Sequence, residues 1–116
     1  MLINNHQNGF NAKTLPMNLQ WSPVFSFYLD DFNQDGHKDI LAGGNFFGVI
    51  PYEGRYDAMP PTIVFGDGTG RFHSQLPYSD DLLIPGEVRD LKLIHVNGKK
   101  CIILARNNDS LVFLSY

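Results

Sequence analysis

Four residues of the stretch Asp31-Phe-Asn-Gln-Asp-Gly-His-Lys-Asp39 carry oxygen donors at loop positions one, three, five and nine: Asp31, Asn33, Asp35 and Asp39. That spacing turns hard oxygens toward the inside of a tight turn. Gly36 at position six permits the bend, and the backbone carbonyl of His37 at position seven adds one more oxygen. Calcium takes six to eight oxygens at about 2.3–2.6 Å, and magnesium is the smaller alternative. Three carboxylates within nine residues repel one another, and a divalent cation removes that repulsion. The plain alternative is an acidic turn facing solvent.

The flanking residues decide what kind of metal loop this would be. An EF-hand loop ends in a bidentate glutamate at position twelve and lies between helices, but position twelve here is Ala42. The flanks VFSFYL and DILAGG read as strands, and Gly43-Gly44 would break a helix. The loop therefore joins two strands. A weaker copy of the unit follows: ILAGGN at 40–45 returns as ILARNN at 103–108, 63 residues on. In that copy Asp31, Asn33, Asp35 and Asp39 align with Leu93, His95, Asn97 and Ile102, while the turn glycine survives as Gly98. A hairpin that forms without the acids leaves metal binding as the better reason for them. GDGTGRF at 66–72 has one carboxylate and reads as a hairpin turn.

Glu53, Arg55, Tyr56 and Asp57 form the most polar aromatic-bearing stretch of a long connection, 46–61. Two readings stand for it: a loop that binds a ligand or partner, or a clasp in which Arg55 pairs with Asp57 or Glu87. Glu87, Arg89 and Asp90 read as a solvated face or a sheet-to-sheet contact, and Arg106 to Asp109 as a turn. Trp21 reads as packing, and Cys101, the only cysteine, as a buried inert thiol. The four histidines have no ligand-like spacing, and no GxSxG elbow, phosphate loop or GxGxxG occurs. No catalytic residue is expected in this segment.

The elements that must position these residues are short runs rich in β-branched and aromatic side chains. They are separated by Asp35-Gly36, Asp67-Gly68, Pro85-Gly86 and Asn97-Gly98. The expectation is an all-β chain of antiparallel strands with almost no helix. The internal matches, NGFNAKTLP at 8–16 with TGRFHSQLP at 69–77 among them, divide it into three parts. Residues 1–20 read as the end of one repeat, 22–80 as a full repeat, and 86–116 as a degenerate one. Each full repeat has the strand content of one propeller blade, so about two blades are present, a piece of a larger propeller. Exposed strand edges are then expected to pair with a second copy or to be covered.

A net charge of −3 and no basic cluster beyond Lys99-Lys100 argue against a nucleic-acid partner. No apolar run is long enough to cross a bilayer. The opening MLINNHQNGF does not read as a signal peptide, so an export signal is expected outside this segment.

With SPVF before the loop, Gly-Asn and GNFFGVIPYEGRYDA after it, then GDGTGRF, GEVRDL and ILARNND, nearly the whole chain resembles the FG-GAP/VCBS repeat family. These are the calcium-binding blades of integrin α-subunit propellers and of many exported bacterial proteins. The resemblance implies a β-propeller blade architecture and calcium ligation by Asp31, Asn33, Asp35 and Asp39. It also implies an extracellular, cell-surface or periplasmic scaffold that binds protein or glycan. The competing expectation is a domain of a polysaccharide-degrading hydrolase or lyase.

Overall fold

The computed structural model describes residues 1–6, 9–50, 52–74 and 82–116. The match of 8–16 with 69–77 and the 80/86 repeat boundary therefore fall partly outside the described residues. Within them the chain is all-β and antiparallel, with a 3-10 turn at Met17–Gln20. Among the described residues no helix is long and apolar enough to cross a membrane.

Three open sheets follow one another along the chain. A hairpin of β1 (Leu2–Asn4) and β2 (Phe10–Ala12) comes first. A four-stranded meander follows, in the order β3 (Val24–Asp30), β4 (Asp39–Gly44), β5 (Thr62–Gly66) and β6 (Phe72–Ser74). The third sheet is a three-stranded meander of β7 (Val88–Val96), β8 (Lys99–Arg106) and β9 (Val112–Ser115).

The long sheet lies between two apolar layers, which explains why β4 is buried along its whole length and why DILAGG lacks the polar alternation of a half-exposed strand. Ile40, Ala42 and Val64 point to one side, against Leu15, Leu19, Met59 and Phe72. Leu41 and Ile63 point to the other, against Val88, Leu91, Ile102 and Leu104 of the third sheet. The glycines of AGGN permit close approach. A Cβ on Gly43 would lie 2.5 Å from Val88 Cγ1, and one on Gly44 would overlap the Pro23 carbonyl oxygen. Asn45 then turns with φ 79° and donates from its side chain to the Gly86 carbonyl, while its own amide oxygen accepts from Met59 N–H.

The β3–β4 and β7–β8 hairpins share their geometry. Each has a bulge near the start of its first strand, between Val24 and Ser26 in one and between Val88 and Asp90 in the other. Each is closed by an asparagine N–H, Asn45 to the Pro23 carbonyl at 3.0 Å and Asn107 to the Glu87 carbonyl at 2.8 Å. These marks set Val24 against Val88, Ser26 against Asp90, and Ile40 against Ile102. The ILA match in the sequence is therefore one residue out of structural register, and a one-residue slip in a strand exchanges its faces.

The far ends of the two hairpins differ. β7 and β8 zip up to a two-residue turn, Asn97-Gly98, with φ of 51° and 78°, the positive pair of a type I′ turn. Leu93 and Ile102, matched in the sequence to Asp31 and Asp39, are cross-strand neighbours in that ladder. The second hairpin is thus a shorter connection and not the first loop stripped of its acids. Its survival without carboxylates does not show what the long loop would do without them.

Candidate metal loop and adjoining cleft

The ladder of β3 and β4 ends at the pair Asp30 and Asp39, leaving residues 31–38 to close the hairpin. So long a turn must satisfy its backbone with side chains. The Asp31 carboxylate accepts from Asp35 N–H at 3.0 Å and from Gly36 N–H at 2.8 Å. Asn33 Oδ1 accepts from the same Asp35 N–H at 3.2 Å, and its amide nitrogen donates to Asp35 Oδ2 at 2.9 Å. Asp35 Oδ1 in turn accepts from His37 N–H at 2.8 Å. That bond first, then the one from Asn33, holds the Asp35 carboxyl below the usual carboxylate range.

The side chains at positions one, three and five thus gather over the loop's own amides, with Gly36 at φ 87° making the bend. Asp39 is set apart from them. It is fully buried and staples the loop to the sheet, accepting from Phe32 N–H at 2.8 Å and from Gly66 N–H at 2.9 Å. A Cβ on Gly66 would overlap the Lys38 carbonyl oxygen, so only glycine lets β5 come this close. The His37 ring lies over Gly68 in the Asp67–Arg71 turn. That turn joins β5 to β6, as the sequence predicts for GDGTGRF. Asp67 Oδ1 closes it by accepting from the N–H groups of Thr69 and Arg71.

Among the described residues, no three His, Cys, Asp or Glu side chains stand together as a ready-made ligand group. The donor chemistry nevertheless fits a hard cation. Asp31, Asp35 and Asp39 have no lysine or arginine ion-pair partner among the described residues, and their hydrogen bonds come from neutral N–H groups or an amide, which leave further lone pairs on each oxygen.

Sequence reasoning passes over the acid next to the loop. Asp30, buried at the end of β3, accepts from Lys100 Nζ and from the Tyr116 hydroxyl, both at 2.6 Å, with Lys38 at 3.4 Å. These bonds, led by that from Lys100, hold its carboxyl far below the usual range. Burial, then the bond to Asp30, pushes the Tyr116 hydroxyl well above the usual phenol range. The Tyr116 ring sits 4.7 Å from that of Phe32. β8 and the residue after β9 thereby grip the base of the acidic loop. Lys100 and Tyr116 lie 70 and 86 residues from Asp30 in the chain, and no local motif joins them to it.

Of the second group of candidates, Arg55 and Asp57 line a cleft of about 500 Å³ with Asn45, Phe47, Pro60 and Asp109. Arg55 stacks on the Phe47 ring at 4.9 Å, and no ion pair joins it to Asp57 or Glu87, so the proposed clasp takes another form. Glu87, buried, accepts from Asn107 Nδ2 at 2.7 Å and Phe47 N–H at 2.8 Å and pairs with Arg89. The hydrogen bond from Asn107 leads in holding its carboxyl low. It is a contact between sheets, not a solvated charge, whereas Asp90 is exposed. Tyr56 is fixed by its backbone to Phe46 and does not line the cleft, and neither does Glu53, whose N–H closes a turn on Ile50. Trp21 is 46% exposed and lies outside both apolar clusters. Cys101 is buried and free, as read.

No family model matches the chain, and no match was found among curated proteins or solved structures.

Proposed function

We propose that the chain is a calcium-stabilised, propeller-type scaffold of an exported or cell-surface protein of the FG-GAP/VCBS kind, with protein or glycan as its partner. The observation that carries this reading is the set of acids at the loop, Asp31 and Asp35 within it and Asp39 beneath it, with no lysine or arginine ion pair among the described residues. A cation held by Asp31, Asn33, Asp35, Asp39 and the His37 carbonyl would supply the missing charge and tie the ends of β3 and β4. The cleft beside Arg55 and Asp57 gives the scaffold a place for a polar ligand. It mixes an arginine, two carboxylates and an aromatic ring in the way carbohydrate and peptide sites do.

Thermal unfolding with and without calcium tests the proposal. At a dissociation constant of ~10⁻⁴–10⁻³ M, usual for extracellular modules, 10 mM calcium should add about 1.4–2.7 kcal/mol of stability, a Tm rise of several degrees. Asp35→Ala should abolish the rise. Equal Tm in calcium and in excess chelator would sink the reading.

A further inference from the structure

At the end of β4 away from the acidic loop, the cleft of about 500 Å³ opens between two walls. Phe47, Arg55 and Asp57 come from the long connection after β4, and Pro85 and Asp109 from the segments that flank β7 and β8. Both walls lie well inside the chain and are tied together at their base. Asn45 donates from its side chain to the Gly86 carbonyl, and Phe47 N–H donates to Glu87. The shape of the cleft is therefore set by contacts within the molecule.

Its backbone is largely engaged already. Asn45 N–H goes to the Pro23 carbonyl and Phe47 N–H to Glu87, while the carbonyls of Pro60, Pro85 and Gly86 accept from Thr62, Arg106 and Asn45. Pro60 and Pro85 have no N–H to offer. A peptide bound in extended form is held through main-chain groups, and it finds few of them here.

The side chains are the reverse. Among the described residues Arg55 and Asp57 join no ion pair and make no hydrogen bond. Asp109 is matched by Arg106 at 2.8 Å, and the buried Glu87 by Arg89. The cleft thus offers a cation and an acceptor that no described residue uses. The Phe47 ring lies against the Arg55 guanidinium at 4.9 Å, which restrains it while leaving its N–H donors free for a carboxylate taken two at a time. Asp57 accepts from hydroxyls. Pro60, Ile84 and Pro85 add apolar surface, which suits the C–H face of a sugar ring.

We infer that the cleft binds an acidic glycan, a sugar unit bearing a carboxylate, with the carboxylate on Arg55 and ring hydroxyls on Asp57; this rests on the cleft being the ligand site proposed above and not on the ion, whose loop lies at the other end of β4.

Calorimetric titration of the whole chain tests it, with disaccharides built on galacturonate, glucuronate, mannuronate or N-acetylneuraminate. Each is run beside its carboxyl-reduced, uncharged counterpart, with triglutamate as the peptide arm. At least one acidic sugar should bind, about tenfold or more tighter than its uncharged counterpart, and less tightly as salt rises. Arg55→Gln should weaken that binding by about tenfold or more and Arg55→Lys by less. Asp57→Asn should weaken it too. Circular dichroism should be unchanged in all three, because both residues are exposed. Equal affinity for the uncharged sugars overturns the acidic-glycan inference while leaving the cleft a ligand site. Triglutamate binding that exceeds every sugar and is lost in Arg55→Gln does the same in favour of peptide. Sugar binding untouched by Arg55→Gln overturns the inference, and no binding by any probe overturns the ligand site with it. The calcium response of Tm reports on the far end of β4, so neither result stands in for the other.

Discussion

Asp39 shows how a side chain read as a metal donor can also be part of the frame. Both its oxygens are engaged by backbone N–H groups, one from the loop and one from β5. The partner that makes this possible is Gly66, whose missing Cβ leaves room for the Lys38 carbonyl. Gly66→Ala should therefore push loop and strand apart and cost about 1–3 kcal/mol, as overpacking does, measured by denaturant unfolding. Gly36→Ala has open space around its Cβ and should cost only the ~1 kcal/mol or so of a left-handed backbone. Equal losses at the two sites would contradict the close approach. At this scale the sequence was readable where residues act locally: the Asp31, Asn33 and Asp35 side chains do turn onto their own loop, and Asp67 closes its own hairpin. It was silent on Asp30, because a buried acid is identified only by what meets it, and Lys100 and Tyr116 arrive from another sheet.

At the scale of elements, the junction of β3, β8 and the end of β9 makes stability depend on pH at both extremes. Asp30 has a folded pKa below its ordinary 3.8, so its contribution is full above about pH 4 and is lost as pH falls further. Glu87 acts in the same sense below its ordinary 4.5. Tyr116 has a folded pKa above its ordinary 10.0, so its contribution is present below pH 10 and is lost as pH rises past it. Tm plotted against pH should form a plateau from about pH 5 to 9 with a fall on each side. Asp30→Asn should flatten the acid limb, and Tyr116→Phe the alkaline limb. An acid limb unchanged by Asp30→Asn would mean that the junction contributes nothing. The strands themselves were legible from glycine punctuation and β-branched runs. The register between the two hairpins was not, since Ile40-Leu41-Ala42 matches Ile103-Leu104-Ala105 letter for letter, whereas the ladders set Ile40 against Ile102. Only the bulges and the closing asparagines fix which Ile faces which sheet.

Across the whole molecule, β4 is the strand buried along its whole length, with apolar layers on both faces and ladder partners on both edges, Ile40, Leu41 and Ala42 being paired to β3 and to β5 at once. Apolar side chains stay exposed on β3, at Val24, Phe27 and Leu29, and on β9, at Phe113. The all-β antiparallel character was legible from the spacing of the turn residues, but the exposed faces were not, because exposure depends on what lies above a strand and not on its letters. The doubly covered strand has a kinetic consequence. In deuterated water the amide protons of Leu41 and Ala42 should be the last to exchange, released only when the whole chain unfolds. Those of β1, β2 and the 31–38 loop should be lost early through local opening. If the loop binds calcium, the ion should slow exchange there and leave the β4 amides tracking global stability alone.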